Sequence, residues 1–141
     1  MRKRRKLRIG VDIGGTKVHV ASLDSFKVRE VRRFSSCDRD LSVLMQKKNL
    51  VHSIIVAAKE LSAGAVIEYF GVASAGPLDL VAGSMIDPSN FPGWGRFHLL
   101  KQLKAKAKKE KLKVLSWGLQ NDAMGAAIGE ALAGGARARI W

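Results

Sequence analysis

The stretch RIGVDIGGTKVHVA, Arg8–Ala21, most strongly limits what this chain can fold into. On both sides of Gly14-Gly15, apolar residues alternate with small or polar ones, which is the pattern of two strands joined by a tight turn. We therefore predict a β-hairpin whose first strand covers residues 7–13 and whose second covers 16–23, with the glycine pair as the turn.

Glycine-rich phosphate loops of two other designs are excluded by the order of the residues. A Walker A loop places a lysine and then a hydroxyl residue after its last glycine and leads into a helix. Here Thr16 precedes Lys17, and β-rich residues follow. The dinucleotide-binding pattern G-x-G-x-x-G fails because Asp12 stands at its second glycine.

A hairpin of this kind has a chemical use of its own. Backbone N–H groups of a glycine turn can approach a phosphate without side-chain obstruction. Asp12, at the end of the first strand, could hold a hydrated Mg²⁺ on the same phosphate. An ordinary glycine hairpin with a solvated aspartate explains these residues equally well when they are taken alone.

The rest of the chain alternates strands and helices, so we predict an α/β layer fold formed by one domain. Residues 1–8 form a basic tail, and 9–141 form the folded unit. The predicted elements are a strand at 27–34, an amphipathic helix at 41–61, a buried strand at 65–74, a loop rich in glycine and proline at 79–97, a basic helix at 99–112, a strand at 114–120 and a helix of small residues that ends at Gly134-Gly135.

Composition narrows the location and the partners. No apolar run approaches the roughly 18 residues of a membrane span, and no apolar core follows the basic tail as in a signal peptide. The single cysteine, Cys37, allows neither an internal disulfide nor a cysteine-cluster metal site. We therefore expect a cytoplasmic protein that does not contact a membrane.

The net charge of +13 raises the question of nucleic-acid binding. The basic residues are concentrated in the tail and along one helix, between Lys101 and Lys113, without interleaved aromatic residues or a base-reading motif. A solvated helix face explains them better, so we do not expect nucleic acid to be a partner.

A second candidate group is the pair Asn121-Asp122, where a strand meets a helix. The plainer interpretation of Asp122 is a helix N-cap. In the functional interpretation its carboxylate is a general base, stabilised by the helix N-terminus, while the Asn121 amide binds a neighbouring hydroxyl.

Three segments, taken together, resemble the ROK (repressor, open reading frame, kinase) family of sugar kinases. They are VDIGGTK, GVASAGPLDLVAGSMIDPSNFPGW and NDAMGAAIGEALAGG, and they span the chain from Ile9 to about Gly135. The resemblance implies a lobe of the actin-like or ribonuclease H-like ATPase fold, with a mixed sheet that opens with a β-hairpin and carries helices on both faces. It also implies ATP-dependent phosphorylation of a hexose, as in glucokinases, with Mg²⁺ as the metal.

The resemblance assigns roles to the matching positions. Those implied to contact the ATP phosphates are Asp12, Gly14, Gly15, Thr16 and Lys17, and Asp12 would hold Mg²⁺ through water. Those implied to bind the sugar are Gly76, Asn90, Asn121 and Asp122. Asp122 would also be the base that takes the proton from the attacking hydroxyl.

Departures from the family pattern bear mainly on which sugar is used. Ala73 and Ala75 replace a glycine and a proline that are common in the family, and Gln120 replaces a Glu or Val. The second phosphate hairpin, the adenosine segment, the sugar-binding residues of the second lobe and the family's zinc motif are not found in this sequence. We therefore expect the chain alone to phosphorylate sugars barely or not at all; turnover above ~1 s⁻¹ on glucose would contradict this. The resemblance leaves open a homodimer or a missing C-terminal lobe as the assembly.

Two alternatives to the kinase stay open at this point. A sugar-sensing ROK regulator without catalysis is one, although only eight residues precede the first strand, too few for a helix-turn-helix domain. A basic module that binds nucleic acid is the other, and strongly salt-dependent DNA binding would favour it.

Overall fold

The computed structural model describes residues 6–25 and 27–121. Residues 6–8, predicted as part of the basic tail, instead begin the first strand. The expectations for residues 1–5 of the tail, for Asp122 and for the helix ending at Gly134-Gly135 lie outside the described residues. Within the described part, no helix is both long enough and apolar enough to cross a membrane.

Five strands of the described residues form one mixed sheet: β1 Lys6–Ile13, β2 Lys17–Asp24, β3 Lys27–Ser35, β4 Val66–Ser74 and β8 Trp117–Gln120. Their order across the sheet is β3-β2-β1-β4-β8. The hairpin strands β1 and β2 are antiparallel, as are β2 and β3, whereas β4 is parallel to β1 and β8 is parallel to β4. The parallel strands β1, β4 and β8 therefore end at the same edge of the sheet.

The alternation of β1 fixes which face of the sheet carries the core. Leu7, Ile9, Val11 and Ile13 are at most 3% exposed and belong to the hydrophobic cluster, whereas Asp12 on the opposite face is only half-buried. Burial of such side chains contributes roughly 1.5–3 kcal/mol each, so a shift of one residue in this strand would be costly.

Two helices of the described part of the chain cover the core face. Helix α1, Val43–Ser62, packs on β1, β2 and β3, and helix α2, Leu99–Lys109, packs on α1 and reaches β8. The Ser42 hydroxyl caps α1 by accepting a hydrogen bond from the Met45 N–H.

A second, smaller sheet lies within the region expected to be a loop rich in glycine and proline. It consists of β5 Leu78–Asp79, β6 Ser84–Ile86 and β7 Arg96–Phe97, all antiparallel. Strands of two or three residues leave too little alternation to be detected in a sequence, and this is why they were not predicted.

The predicted α/β fold with a β-hairpin and a mixed sheet is confirmed, with small differences at the ends of elements. The turn of the hairpin includes Thr16, because β2 begins at Lys17. The strand predicted at 114–120 is regular only from Trp117, and Val114 forms an isolated bridge with Ile67.

Candidate active site

The edge where β1, β4 and β8 end brings together most of the residues singled out in the sequence. Asp12, Ala73 and Gln120 are paired across the three strands in one row. The glycine turn, the loop with Gly76, and Asn121 each follow directly after one of these strands. Ligand sites of open α/β sheets lie at this carboxyl edge.

The hairpin turn is closed by its own backbone. The Gly14 N–H donates to the Lys17 carbonyl at 2.9 Å, and the Ser36 N–H donates to the Thr16 carbonyl at 3.0 Å. A Cβ at Gly14 would lie 2.9 Å from the same Lys17 oxygen, too close for any other residue without a backbone shift. Thr16 and Lys17 are exposed at the tip, while Asp12 is half-buried at its base.

Asn90, from a segment far away in sequence, lies against this turn. A Cβ at Gly15 would be 3.0 Å from Asn90 Cγ and 3.1 Å from its Oδ1. The side chain of Asn90 therefore occupies the space that a side chain at position 15 would take. The geometry places the amide that the sequence associates with sugar directly beside the turn that it associates with phosphate.

The loop that carries Asn90 is held by buried aromatic residues. Phe91 and Trp94 are each 2% exposed and stack on one another, with ring centroids 4.5 Å apart. Trp94 Nε1 donates to Gln46 Oε1 on α1 at 2.8 Å, and Arg39 Nη2 donates to the Asn90 carbonyl at 2.9 Å. These contacts fix the backbone of the loop relative to α1 and to the segment after β3.

Gly76 begins the connection from β4 to the small sheet, and its peptide bond to Pro77 is cis. The Ile86 N–H donates to the Pro77 carbonyl at 3.0 Å, which ties this connection to β6.

Asp79 joins the two ends of the small sheet. Its carboxylate accepts hydrogen bonds from the Ala82 N–H at 3.0 Å and from Arg96 Nη1 at 3.2 Å. The backbone hydrogen bond from Ala82 and then the Arg96 guanidinium hold the pKa of Asp79 below its usual value. The carboxylate is therefore ionised and used structurally, so we do not assign it a role in proton transfer.

Of the predicted site residues, the structure brings together Asp12, Gly14, Gly15, Thr16, Lys17 and Asn90 around the turn, and it places Gly76 and Asn121 at the same sheet edge. Asn121 is exposed directly after β8. Asp122 lies outside the described residues.

Magnesium is the metal that the resemblance implies, and the residues at the turn fit its requirements. Mg²⁺ keeps several waters and takes one or two carboxylates together with substrate phosphates, so the single carboxylate of Asp12 beside an accessible turn is a suitable donor. Among the described residues, no three His, Cys, Asp or Glu side chains form a group that could bind a metal without such a phosphate.

Sequence reasoning missed two residues that position the site. Gln46 is a polar residue in the buried stripe of α1, 8% exposed, and this break in the stripe was the one available signal. Arg39 gave no signal, because a basic residue in a polar segment resembles any solvated side chain.

A family model described as the ROK family matches residues 8–139. The chain belongs to the ROK family. This match confirms the resemblance on which the phosphate and sugar roles were predicted. The sheet is that of the actin-like ATPase fold.

Solved structures of ROK proteins resemble this chain closely in fold. A ROK hexokinase from Thermus thermophilus has 25% identity and a TM-score of 0.65, with 89% of this chain and 38% of that chain covered. A ROK-family glucokinase from Streptomyces griseus, in complex with glucose and AMPPNP, has 26% identity and a TM-score of 0.64, with 89% and 36% covered.

A ROK transcriptional regulator, a homologue of the E. coli MLC protein, has 14% identity and a TM-score of 0.59, which is a likeness of fold alone. Comparison with curated protein sequences gave no match. This ROK chain spans somewhat more than a third of the length of the two sugar kinases above.

Proposed function

We propose that this ROK chain provides the sugar- and phosphate-binding part of a kinase that transfers a phosphoryl group from ATP to a hexose. The observation that carries the proposal is the contact between Asn90 and Gly15 at the carboxyl edge of the sheet. In-line transfer needs the acceptor hydroxyl and the phosphate side by side, and the closeness of Asn90 to the turn supports this proposal. The glucose and AMPPNP complex of the Streptomyces griseus glucokinase supports the choice of substrates.

In the proposed site, the turn from Gly14 to Lys17 receives the phosphates. Its exposed residues Thr16 and Lys17 offer a hydroxyl and an ammonium group, and its glycines leave the backbone accessible. Asp12 would hold Mg²⁺ through water. When bound, ATP with Mg²⁺ supplies the transferable group and a counter-charge for its oxygens.

The sugar would lie between Gly76, Asn90 and Asn121. An amide offers both a donor and an acceptor, which suits the hydroxyls of a hexose. Arg39 and Trp94 restrict the motion of the Asn90 backbone, so the amide is positioned before the sugar arrives and less entropy is lost on binding.

Asp122 is the proposed general base. It follows Asn121 directly in the sequence, and the resemblance of NDAMG to the ROK motif assigns it this role. Taking that proton as the hydroxyl attacks is the role that this residue would have.

The proposed reaction also requires a second lobe. Two-lobed kinases close over their substrates and exclude water, and the residues of one lobe alone cannot do so. We therefore propose a cytoplasmic enzyme in which this chain acts with a second lobe, and little or no turnover by this chain alone.

Calorimetric titration of two variants tests the separation of the two binding elements. We expect Asp12→Asn to weaken MgATP binding by about tenfold or more and to leave glucose binding nearly unchanged, because it removes a charge-assisted contact. We expect Asn90→Ala to do the reverse. Asp24→Asn, an exposed carboxylate paired with Arg29 on the far end of the hairpin, is the matched control. Equal losses of both ligands in either variant would contradict the proposed division of the site.

A further inference from the structure

A groove lies between α1 and α2, beside Phe97 of the small sheet. Its volume is about 720 Å³, within the range of small-molecule sites. It is lined by Leu44, Lys47, Lys48, Asn49, Val51, His52, Phe97, Gln102, Ala105, Lys106 and Lys109.

The groove is formed by matching stripes on the two helices. On α1 the stripe is at positions 44, 47, 48 and 51, and on α2 it is at 102, 105, 106 and 109. Both follow the spacing i, i+3, i+4 and i+7, which places their members on one face of each helix. Apart from Val51, which also belongs to the core, the buried residues of these helices lie at other positions, such as Ile54 and Leu103.

Positive charge dominates this groove. Four lysines line it, and no carboxylate is among the lining residues. Among the ion pairs of the described residues, only Lys106 of these four takes part, with Glu110 at 3.5 Å. Lys47 instead lies half-buried with its Nζ 5.5 Å from the centre of the Phe97 ring. A groove lined by charges of one sign raises the local concentration of ions of the opposite sign, here anions.

We propose that this groove binds a compact polyphosphate anion, such as a tripolyphosphate chain. Ammonium groups are effective point charges for phosphate, and the amides of Asn49 and Gln102 add neutral donors for its remaining oxygens. The volume favours a small ligand over a macromolecule. Nucleic acid is a poorer fit because the lining residues offer no row of aromatic rings on which successive bases could stack: Phe97 is 8% exposed, and His52 is the one exposed aromatic side chain among them.

This site goes beyond the proposed kinase function, since it shares none of its lining residues with the sheet edge. The two regions are nevertheless linked through aromatic packing. Phe97 contacts Trp94 edge-on, with centroids 5.4 Å apart, and Trp94 is the residue that anchors the Asn90 loop.

Calorimetric titration with sodium tripolyphosphate at fixed ionic strength tests the site in the full chain. The variant Lys48→Gln/Lys109→Gln removes two exposed lysines of the groove, so its fold should be intact. We expect it to weaken binding by about tenfold or more, since two charge-assisted contacts are lost. The matched control, Lys101→Gln/Lys104→Gln, makes the same change of charge on exposed positions of α2 outside the groove, and it should bind tripolyphosphate within about twofold of the parent.

Three results would overturn the proposal. Equal losses in the groove variant and its control would mean that net charge alone attracts the anion. Loss of binding in Lys17→Gln but not in the groove variant would place the anion at the hairpin turn. If a short oligothymidylate displaces tripolyphosphate, and if its binding is weakened equally in all the lysine variants, the surface binds nucleic acid. The MgATP and glucose titrations of Asp12→Asn and Asn90→Ala are independent of all three, so the two proposals can fail separately.

Discussion

Gly15 shows how one missing side chain couples two parts of the candidate site. Asn90 fills the space beside it, and even a methyl group there would lie 3.0–3.3 Å from three atoms of the Asn90 amide. Such contacts are tighter than normal packing allows, so one of the two partners must move.

We predict that Gly15→Ala displaces the Asn90 amide and weakens glucose binding by about fivefold, with a loss of stability of about 1 kcal/mol or less. The end of a side chain moves more easily than the backbone, and this is why the effect on sugar should exceed the effect on folding. Calorimetry with glucose and chemical denaturation measure the two effects. Ser89→Ala, an exposed neighbour in the same loop, should change neither. Unchanged glucose affinity in Gly15→Ala would show that Asn90 is not a sugar-binding residue.

At the residue scale, the sequence predicted which side chains lie together at the candidate site, but it did not predict the contacts that fix their positions. Asp12 and the glycines could be recognised because a strand, a turn and a carboxylate are adjacent in the chain. The bond from Arg39 to the Asn90 carbonyl joins residues 51 positions apart, and no local pattern records such a contact.

The strands and helices were easier to predict, because burial imposes a period on the sequence. β1 alternates and α1 repeats its apolar residues at helical spacing, so both were recognised nearly to their ends. β5, β6 and β7 are too short to show a period, and their pairing depends on long-range contacts, such as that of Asp79 with Arg96.

A buried hydrogen bond joins the aromatic loop to α1. Trp94 is 2% exposed, and its N–H finds its acceptor in Gln46. We predict that Gln46→Leu, which keeps the size but removes the acceptor, lowers the free energy of unfolding by about 1–3 kcal/mol, because a buried donor is left unsatisfied. Gln102→Leu, an exposed glutamine on α2, should stay within about 0.5 kcal/mol of the parent in the same denaturation experiment. Equal stability of the two variants would mean that the Gln46 contact does not anchor the loop.

Across the described part of the molecule, the core and the candidate site residues lie on different parts of the sheet. One face carries the core and both described helices, while the carboxyl edge of β1, β4 and β8 carries the turn, Gly76 and Asn121. The same fold is present in ROK proteins that are 25–26% identical, of which this chain covers 36–38%. We therefore propose that this edge binds two substrates in adjacent positions.

The most direct test is a map of backbone amide shifts in the ¹⁵N-labelled full chain, titrated first with glucose and then with MgATP. We expect glucose to shift the amides of Gly76, Asn90 and Asn121, and MgATP to shift those from Gly14 to Lys17. Shifts confined to other parts of the chain, or none at millimolar ligand, would contradict the claim that this edge is the substrate site.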